Sequence, residues 1–400
     1  MHLQTLEILE FRAFHARRIL FEPAGLRLVG GNGCGKSTIL ESIAMLATTR
    51  SPRTSLEREV INFRSGEELG VPSYARVSAR VMLTDGTVDL SLAMQLDPRR
   101  SNHLKKQFSV DGRAVRASDA VGRLKAVLFS PEDVGLIAGA PAARRHYLDV
   151  MLSQLYRDYL RTLSRFNKLL TQRNSLLRTL ARDGVAHSGA TSSSQLAFWD
   201  EELTAFGSAL ISHRYRAIRR LSALATDRFA RLTTGHILRI EYVPNLNLTA
   251  LEGRGSESGH DETTAIVARE FTSSLAARRR EELRRGLSLV GPQRDNLTFS
   301  LDGVDLALFG SRGQQRLAVL ALKLAEAALM SEEANEPPLV MLDDVLSELD
   351  EHHRECLIET VSAECSQLLV TSADETFLTT PSLAALPFLR LGYGAGDMGD

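Results

Sequence analysis

The sequence predicts an α/β fold with an antiparallel β subdomain, interrupted by an inserted antiparallel helical arm. Three observations support this prediction. Strand and turn signals alternate with one helix over residues 1–140, helical apolar spacing fills residues 141–285, and strand and helix alternate again over residues 286–400. We therefore expect one α/β domain built from residues 1–140 and 286–400, with residues 141–285 inserted between its halves as a helical arm subdomain.

The first half begins with short strands and a helix. "AGLRLVG" is an apolar strand pattern that ends in glycines, and "STILESIAMLA" after it has helical spacing. Asp-Gly pairs in "ARVSARVMLTDGTVDLSLAM" and "KQFSVDGRAV" lie between alternating runs and predict two β-hairpins. In "FSPEDVGLI", Ser130 as N-cap and Pro131 at the first helical position predict the start of a helix.

In the arm, apolar residues recur every three or four positions along two stretches. The first contains Leu148, Leu152, Leu155, Tyr159, Leu163, Phe166 and Leu170, and the second contains Leu196, Trp199, Leu203, Phe206, Leu210, His213, Ala217, Leu221 and Leu224. The polar segment 183–194, "DGVAHSGATSSS", separates them. This pattern predicts an antiparallel hairpin of two helices, each about 55–60 Å long at about 1.5 Å per residue. Segment 251–264, "LEGRGSESGHDETT", is predicted to be a loop.

The composition limits the class of protein. The chain has 400 residues, of which 44% are hydrophobic, and a formal net charge of -1. A large core is therefore expected, and a DNA-binding surface would have to be a local basic patch. No apolar run approaches the roughly 18–20 residues that span a bilayer, and the N-terminus lacks the features of a signal peptide. The three cysteines lack metal-type spacing. We expect a cytoplasmic protein with no membrane partner.

Residues 30–38 form a glycine-rich motif that is typical of phosphate-binding loops. The motif consists of Gly30, Gly31, Asn32, Gly33, Cys34, Gly35, Lys36, Ser37 and Thr38. It satisfies G-x-x-x-x-G-K-[ST] between a predicted strand and a predicted helix. Glycines let backbone N–H groups surround phosphates, and the helix N-terminus attracts negative charge. Lys36 would bridge the terminal phosphates of ATP, and Ser37 would give its hydroxyl to Mg²⁺. The alternative is a glycine-rich turn that binds nothing.

A second predicted strand, which ends in two carboxylates, completes this pattern. In "PPLVMLDDVLSELD", an apolar run over residues 339–342 ends in Asp343 and Asp344. Asp343 would hold Mg²⁺, directly or through water, and Asp344 would orient or deprotonate the attacking water. The alternative is an acidic N-cap pair that follows a core strand.

A second helix start with small polar residues lies in "FGSRGQQRLAVLALKLAE". Ser311 and Gly313 begin a helix whose apolar face contains Leu317, Leu320, Leu324 and Ala328. Free N–H groups and the positive end of the helix dipole make its N-terminus an anion site. Because the phosphate loop already holds a nucleotide, the economical arrangement is a two-fold homodimer in which this anion site faces the nucleotide of the other copy. ATP would hold the dimer together and its hydrolysis would release it. The alternative is an ordinary N-cap.

The order of these motifs resembles the head domain of ABC-type P-loop ATPases and, more closely, the RecF family of bacterial recombinational-repair proteins. The resemblance is collinear over roughly residues 3–378. It rests on "FRAF", "GGNGCGKST", "FSPED", "RRHYLD", "GPQRDNL", "SRGQQRLAVLALKLAE" and "MLDDVLSELD". It implies a DNA-binding ATPase that dimerises on ATP and works with RecO and RecR to promote RecA loading at gapped or single-strand/double-strand junction DNA.

The resemblance also implies roles for individual residues. Residues 30–38 and Arg12 of "FRAF" would contact the nucleotide, and Asp343 would be the Mg²⁺ carboxylate. Asp344 stands where many ABC heads have glutamate. The signature that is read by the other copy would be residues 311–314, including Gln314, and the D-loop would be residues 347–350.

Two family positions depart from the usual ABC pattern. "FSPED" falls where a Q-loop is expected but contains no glutamine, and "VTSADE" (370–375) lacks the switch histidine of transporters. The missing histidine and the short Asp344 base suggest slow hydrolysis, stimulated by DNA, that acts as a timing switch.

Basic side chains on the arm are the candidate DNA contacts. Arg157, Arg161, Arg165 and Lys168 form a stripe, each two residues past an apolar position and so about 200° around the helix, facing solvent. Further clusters contain Arg214, Arg216, Arg219, Arg220, Arg228 and Arg231, and "RRREELRR" at 278–285. Together they suggest a sequence-independent surface for the DNA backbone. For any single cluster, a solvated helix face is the alternative.

Two other classes of ATPase share these motifs. The ATPase subunit of an ABC transporter is disfavoured by the missing histidine and the inserted arm. A structural chromosome protein of the SMC type would need arms several times longer. Stimulation of hydrolysis by DNA would separate the leading hypothesis from a transporter subunit.

Overall fold

The computed structural model describes residues 1–67, 70–97, 99, 103–182, 189–251 and 260–392, and for residues 189–193 and 260 it describes the backbone only. The strands are β1 His2–Phe11, β2 Phe14–Leu20, β3 Gly25–Val29, β4 Tyr74–Leu83, β5 Gly86–Leu96, β6 Leu104–Val110, β7 Arg113–Val115, β8 Ala126–Phe129, β9 Leu238–Val243, β10 Asn296–Leu301, β11 Val304–Asp305, β12 Leu339–Asp343, β13 Gln367–Ser372 and β14 Phe388–Arg390. The helices are α1 Lys36–Thr48, α2 Ala117–Ala120, α3 Gly135–Ala138, α4 Pro141–Leu155, α5 Arg157–Arg182, α6 Gly189–Leu232, α7 His260–Arg285, α8 Leu306–Phe309, α9 Arg312–Ala334 and α10 Glu351–Glu364. The predicted α/β class is confirmed.

A five-stranded parallel sheet positions the candidate site. Its order is β14-β3-β13-β12-β8, so strands from both halves of the chain are neighbours within it. β12 is buried on both faces, as expected for a parallel sheet. Its Val340 and Leu342 enter one apolar core, whereas Leu339 and Met341 enter a second core on the opposite face. Because the strands are parallel, the loop after β3 and the acidic pair after β12 emerge at the same edge.

A six-stranded antiparallel sheet, in the order β2-β1-β4-β5-β6-β7, covers α1. Ile39 and Ile43 of α1 share a core with Leu6 of β1 and Leu28 of β3, so this helix lies between the two sheets. Both predicted Asp-Gly hairpins, β4–β5 and β6–β7, are present.

A three-stranded sheet, β11-β10-β9, was not predicted. Its strand β9 lies inside residues 141–285, so the prediction of a purely helical arm was wrong there. Leu238 and Ile240 of β9 are buried, whereas Arg239 and Glu241 are exposed. This period of two is the strand signal that the sequence analysis overlooked.

The first long helix of the arm is interrupted. Tyr156 has extended backbone angles, with φ -124° and ψ 106°, and separates α4 from α5. The predicted single helix was therefore wrong, and α5, with 26 residues, is only about 39 Å long at about 1.5 Å per residue. In the predicted loop 183–194, residues 183–188 lie outside the described part of the chain. Residues 189–194 belong to α6, so the loop prediction was wrong for them.

Residues 141–285 contain one more helix, α7, besides α4, α5 and α6. α7 packs against α5 and α6, and Leu283 of α7 shares a small core with Leu177 and Leu180 of α5 and Leu196 of α6. In place of the predicted two-helix hairpin, the described part of residues 141–285 contains four helices, α4 to α7. In the predicted loop 251–264, residues 260–264 belong to α7 and residues 252–259 lie outside the described ranges. Among the described residues, no helix has both the length and the apolar character needed to cross a bilayer.

Candidate nucleotide site and arm surface

The glycine-rich loop joins β3 to α1 and lies against the turn between β1 and β2. Gly35 has a φ of 101°, and a Cβ at this position would come within 2.3 Å of the Phe14 ring. A side chain is therefore excluded there by both backbone conformation and space. The close approach places the β1–β2 turn, which carries Arg12, beside the loop.

Lys36 is folded over its own loop. Its Nζ donates hydrogen bonds to the carbonyl oxygens of Gly30 at 2.5 Å and Gly31 at 3.1 Å, and the residue is only 6% exposed. The ammonium group thus lies against the loop backbone, and among the described residues no carboxylate pairs with it. A cation held only by carbonyl oxygens is well suited to receive anionic phosphate oxygens.

The predicted metal ligands are in contact although they are 306 positions apart. Ser37 donates from Oγ to Asp343 Oδ1 at 2.9 Å. Thr371, the register partner of Asp343 on β13, donates from Oγ1 to the same Oδ1 at 3.0 Å. Burial raises the pKa of Asp343, and the two hydroxyl donors oppose that shift. One carboxylate and one hydroxyl at the loop form an all-oxygen donor set, which suits Mg²⁺.

Asp344 combines a left-handed backbone with a buried side-chain oxygen that lacks a partner among the described residues. Its φ of 54° places it in the left-handed region, and its N–H donates to Thr371 Oγ1 at 3.1 Å. Its Oδ1 is buried and, within the described part of the chain, accepts no hydrogen bond. A buried polar atom without a partner is unfavourable for stability and is common where a ligand or water completes the site.

Arg12 has a carboxylate partner that the sequence analysis missed. Its guanidinium donates to Glu41 through Nε at 3.0 Å and through Nη2 at 2.7 Å, and to the carbonyl of Glu59 at 3.0 Å. Glu41 is buried on α1, and Ser51 also donates to it. Glu41 follows Ser37 by one helical turn, which was the available signal. A nucleotide contact by Arg12 stays a prediction.

The second helix start is present as predicted, but it is already capped. Ser311 Oγ accepts from the N–H of Gln314 at 3.2 Å, and Gln314 Oε1 accepts from the N–H of Ser311 at 2.9 Å. The prediction that this end offers free N–H groups was therefore wrong for Gln314. The cap residues and Gly313 are exposed, whereas α9 is buried on nearly all sides beyond Gln315, not only along the predicted apolar face.

In the "FSPED" segment, the side chain of Asp133 packs into the protein beside α9. Ser130 caps a 3₁₀ turn, Pro131–Val134, and Asp133 completes a capping box with it, so the predicted start is confirmed. Asp133 lies in a buried polar cluster with Lys323 and Glu326 of α9, and burial raises the pKa of Asp133. The segment therefore links β8 to the signature helix.

The predicted stripe on α5 faces solvent. All four side chains are exposed, and Arg161 and Arg165 line a groove of about 640 Å³ beside α2. The end nearest the head is partly neutralised, because Asp119 pairs with Arg157 and, at 3.5 Å, with Arg161. The hydrogen bond from Arg157 lowers the pKa of Asp119. A role in DNA binding stays a prediction.

Several arginines of the other two basic clusters form ion pairs with carboxylates of the same chain. Arg214 is buried against Asp149 and Asp295, and Arg228 contacts Glu364 at 2.5 Å. Arg279 of the third cluster pairs with Asp200. The prediction that these clusters are solvent-facing DNA surfaces was therefore wrong for those three residues.

Comparisons with known proteins give one consistent family. The family described as the RecF/RecN/SMC N terminal domain matches residues 2–384. The chain is similar to the DNA replication and repair protein RecF of Thermomicrobium roseum, at 42% identity over 404 residues and with 100% of both chains covered. It is 39% identical to RecF of Chloroflexus aggregans over 399 residues, covering 98% and 99% of the two chains. A solved structure of the recombination mediator protein RecF-ATP in the RecFOR pathway matches with a TM-score of 0.78 and 26% identity, covering 94% of each chain. One of RecF-ATPrS gives a TM-score of 0.79 and 26% identity, covering 94% of this chain and 93% of that one.

Proposed function

Since the chain belongs to the RecF family of DNA replication and repair proteins, we propose that it binds ATP with Mg²⁺, dimerises around the nucleotide and uses slow hydrolysis to leave DNA. The observation that carries the proposal is the 2.9 Å hydrogen bond between Ser37 and Asp343. It joins the phosphate loop to the carboxylate strand from the other end of the chain, which is the arrangement a phosphate-bound cation needs.

ATP binding is supported by the loop geometry and by relatives whose structures are described as RecF-ATP and RecF-ATPrS. Residues 30–38 would surround the phosphates, with Lys36 leaving the carbonyls of Gly30 and Gly31 for the terminal phosphates. Ser37 and Asp343 would hold Mg²⁺, which supplies charge neutralisation on the phosphate oxygens when bound. Arg12, fixed by Glu41, would add a second cation at the rim.

Hydrolysis would depend on Asp344. Its Oδ1, which has no partner in the described ranges, would accept a proton or a hydrogen bond from the attacking water, while Thr371 fixes the backbone that carries it. General-base assistance of this kind contributes about 10²–10⁴-fold to a rate. Because aspartate is shorter than the glutamate of related heads, we propose slow, DNA-stimulated turnover that acts as a release switch.

The homodimer would place Ser311, Gly313 and Gln314 of one copy on the γ-phosphate held by the other. The exposure of these residues at the positive end of α9 supports the arrangement. On this proposal residues 1–140 and 286–400 form the ATPase head and residues 141–285 form the arm subdomain.

The substrate we propose is DNA at gaps or single-strand/double-strand junctions, bound without sequence preference in the cytoplasm. The solvent-facing stripe of Arg157, Arg161, Arg165 and Lys168 supports backbone contacts. Because structural relatives are described as mediators in the RecFOR pathway, RecO and RecR are the proposed protein partners, with RecA loading as the outcome. A transporter subunit and an SMC-type structural protein are disfavoured by the full-length family match.

Sedimentation of the wild-type chain and of Lys36→Met, each with ATP, with ADP and without nucleotide, tests the proposal. We expect a dimer only for the wild type with ATP. The substitution should weaken ATP-dependent dimerisation at least about 100-fold, the scale for loss of one preorganised charged donor. If Lys36→Met dimerises at the same ATP concentrations as the wild type, the loop does not hold the nucleotide that drives dimerisation.

A further inference from the structure

Two large apolar side chains are exposed directly before the signature end of α9, and two more are exposed at one end of the three-stranded sheet. Leu308 is 75% exposed and Phe309 74%, and both lie on α8, which ends two residues before Ser311. Val304 of β11 and Ile237 before β9 are 52% and 55% exposed. Ile237 is joined to Asp302 of the β10–β11 turn by two backbone-anchored hydrogen bonds, so these elements meet at one end of the small sheet. We call Leu308 and Phe309 the apolar patch.

The patch is held in place by ordered backbone. Asp305 caps α8, accepting from the N–H groups of Ala307 at 2.7 Å and Leu308 at 3.2 Å. Leu306 is buried, and its carbonyl accepts from Gln315 Nε2 of α9 at 2.8 Å. α8 is therefore tied to the signature helix while Leu308 and Phe309 point into water. Large apolar side chains that are exposed on such a fixed element are typical of interaction sites.

A second exposed apolar pair lies beside the phosphate loop. Leu56 is 51% exposed and Phe63 is 81% exposed. The segment between them is attached to the β1–β2 turn, since the N–H of Arg12 donates to the carbonyl of Val60 at 2.7 Å and the N–H of Asn62 donates to that of Glu10 at 2.8 Å. This turn carries Arg12 and lies against Gly35 of the loop.

We propose that the apolar patch docks on Leu56 and Phe63 of a second copy of this chain. The inference rests on the proposed function, in which Ser311 of one copy meets the phosphate loop of the other. In a two-fold dimer, residues next to Ser311 then face residues next to the loop, and the same contact occurs twice. The patch thus supplies the apolar part of an interface whose polar part is the nucleotide.

If this contact exists, substitutions in the apolar patch should weaken the dimer without changing the affinity for nucleotide. Leu308 and Phe309 are far along the chain from the phosphate loop and make no part of the cradle that holds ATP. Two large side chains buried twice should matter strongly, because apolar anchors dominate interface energies. We expect the double substitution Leu308→Ser with Phe309→Ser to raise the dimer dissociation constant about 100-fold.

The experiment compares three proteins by sedimentation at saturating ATP and by titration with a fluorescent ADP analogue. They are the wild type, the double variant and Leu20→Ser. Leu20 is 68% exposed on the same β1–β2 hairpin, but at the end remote from Arg12, which makes it a matched control. The double variant should bind ADP normally and stay largely monomeric with ATP, and Leu20→Ser should dimerise like the wild type. Phe63→Ser should reproduce the defect from the opposite surface.

The outcomes separate this inference from the proposed function. If the wild type stays monomeric with ATP, the proposed dimer itself is wrong. If the wild type dimerises and the double variant does so with equal affinity, the dimer stands and the apolar patch is not part of it. A loss of dimer in Leu20→Ser as large as in the double variant would likewise overturn the inference.

Discussion

The nucleotide end of the head and the base of the arm both bury charged groups, but they do so in different ways. At the base of the arm, Arg214 donates to Tyr159, to Asp149, to Asp295 and to the carbonyl of Pro292, with distances of 2.7–3.0 Å. At the nucleotide end, within the described part of the chain, Lys36 donates to loop carbonyls alone and Asp344 keeps a buried oxygen without a hydrogen-bond partner.

We interpret this difference as one between charged groups that stabilise the fold and charged groups that would bind a ligand. A buried ion network is tolerated when all its members are satisfied, and Arg214 meets that condition. On the proposed function, phosphates, a cation and water would complete the hydrogen bonds that Lys36 and Asp344 leave unmade among the described residues. The contrast predicts that substitutions at the two regions will affect different measurements.

The largest effect on stability should come from Arg214→Met. The substitution removes the ion-pair partner of the buried Asp295 carboxylate, and loss of one partner of such a pair costs about 3–5 kcal/mol. Chemical denaturation should show a clearly lower midpoint, while Arg216→Met, an exposed neighbour on α6, should change stability by no more than about 0.5 kcal/mol. Equal midpoints for the two variants would remove the distinction between the regions.

Asp344→Asn should affect ATP hydrolysis strongly and stability little, the opposite of Arg214→Met. The substitution removes the charge of the carboxylate whose Oδ1 has no partner among the described residues. The free energy of unfolding should therefore stay within about 1 kcal/mol of the wild type, but hydrolysis should slow about 100-fold or more. The dimer should persist with ATP, and single-turnover phosphate release is the measurement. Turnover at the wild-type rate would exclude Asp344 as the base, and a large loss of stability would make it a structural residue like Asp295.

The smallest effect per residue is expected at the stripe on α5. Reversal of charge at Arg157, Arg161 and Arg165 should weaken DNA binding and reduce the slope of its salt dependence by about one unit per lost phosphate contact. The control reverses Arg18, Arg113 and Arg239, which are exposed on strands outside the stripe. If both triple variants keep the wild-type slope, the stripe does not contact DNA.

Local signals in the sequence predicted the elements of the site well. The glycine-rich loop, the strand that ends in Asp343 and the helix that starts at Ser311 each depend on neighbouring residues, and the structure contains all three. Bringing Ser37 within 2.9 Å of Asp343 required only that both strands belong to one parallel sheet. The roles of these residues toward a nucleotide remain predictions.

Features that depend on distant partners were missed. Arg214 looked like a solvent-facing base because its acids, Asp149 and Asp295, lie 65 and 81 positions away. The break at Tyr156 has no proline or glycine to indicate it, and helix α7 carries so many charged residues that its apolar period is weak. Thr371, which links Asp343 to Asp344, lies on a different strand and has no motif of its own.

The central claim, that two chains complete each nucleotide site, is tested most directly by mixing two inactive variants. Lys36→Met removes the phosphate cation, and Ser311→Arg blocks the signature end. Neither should form an ATP-bound dimer or hydrolyse ATP alone. A mixed dimer contains one intact site, with Lys36 from one chain and Ser311 from the other. We predict that mixing restores dimer formation and hydrolysis to a substantial fraction of the wild-type level. A mixture as inactive as its components, or Ser311→Arg that is fully active alone, would contradict the account.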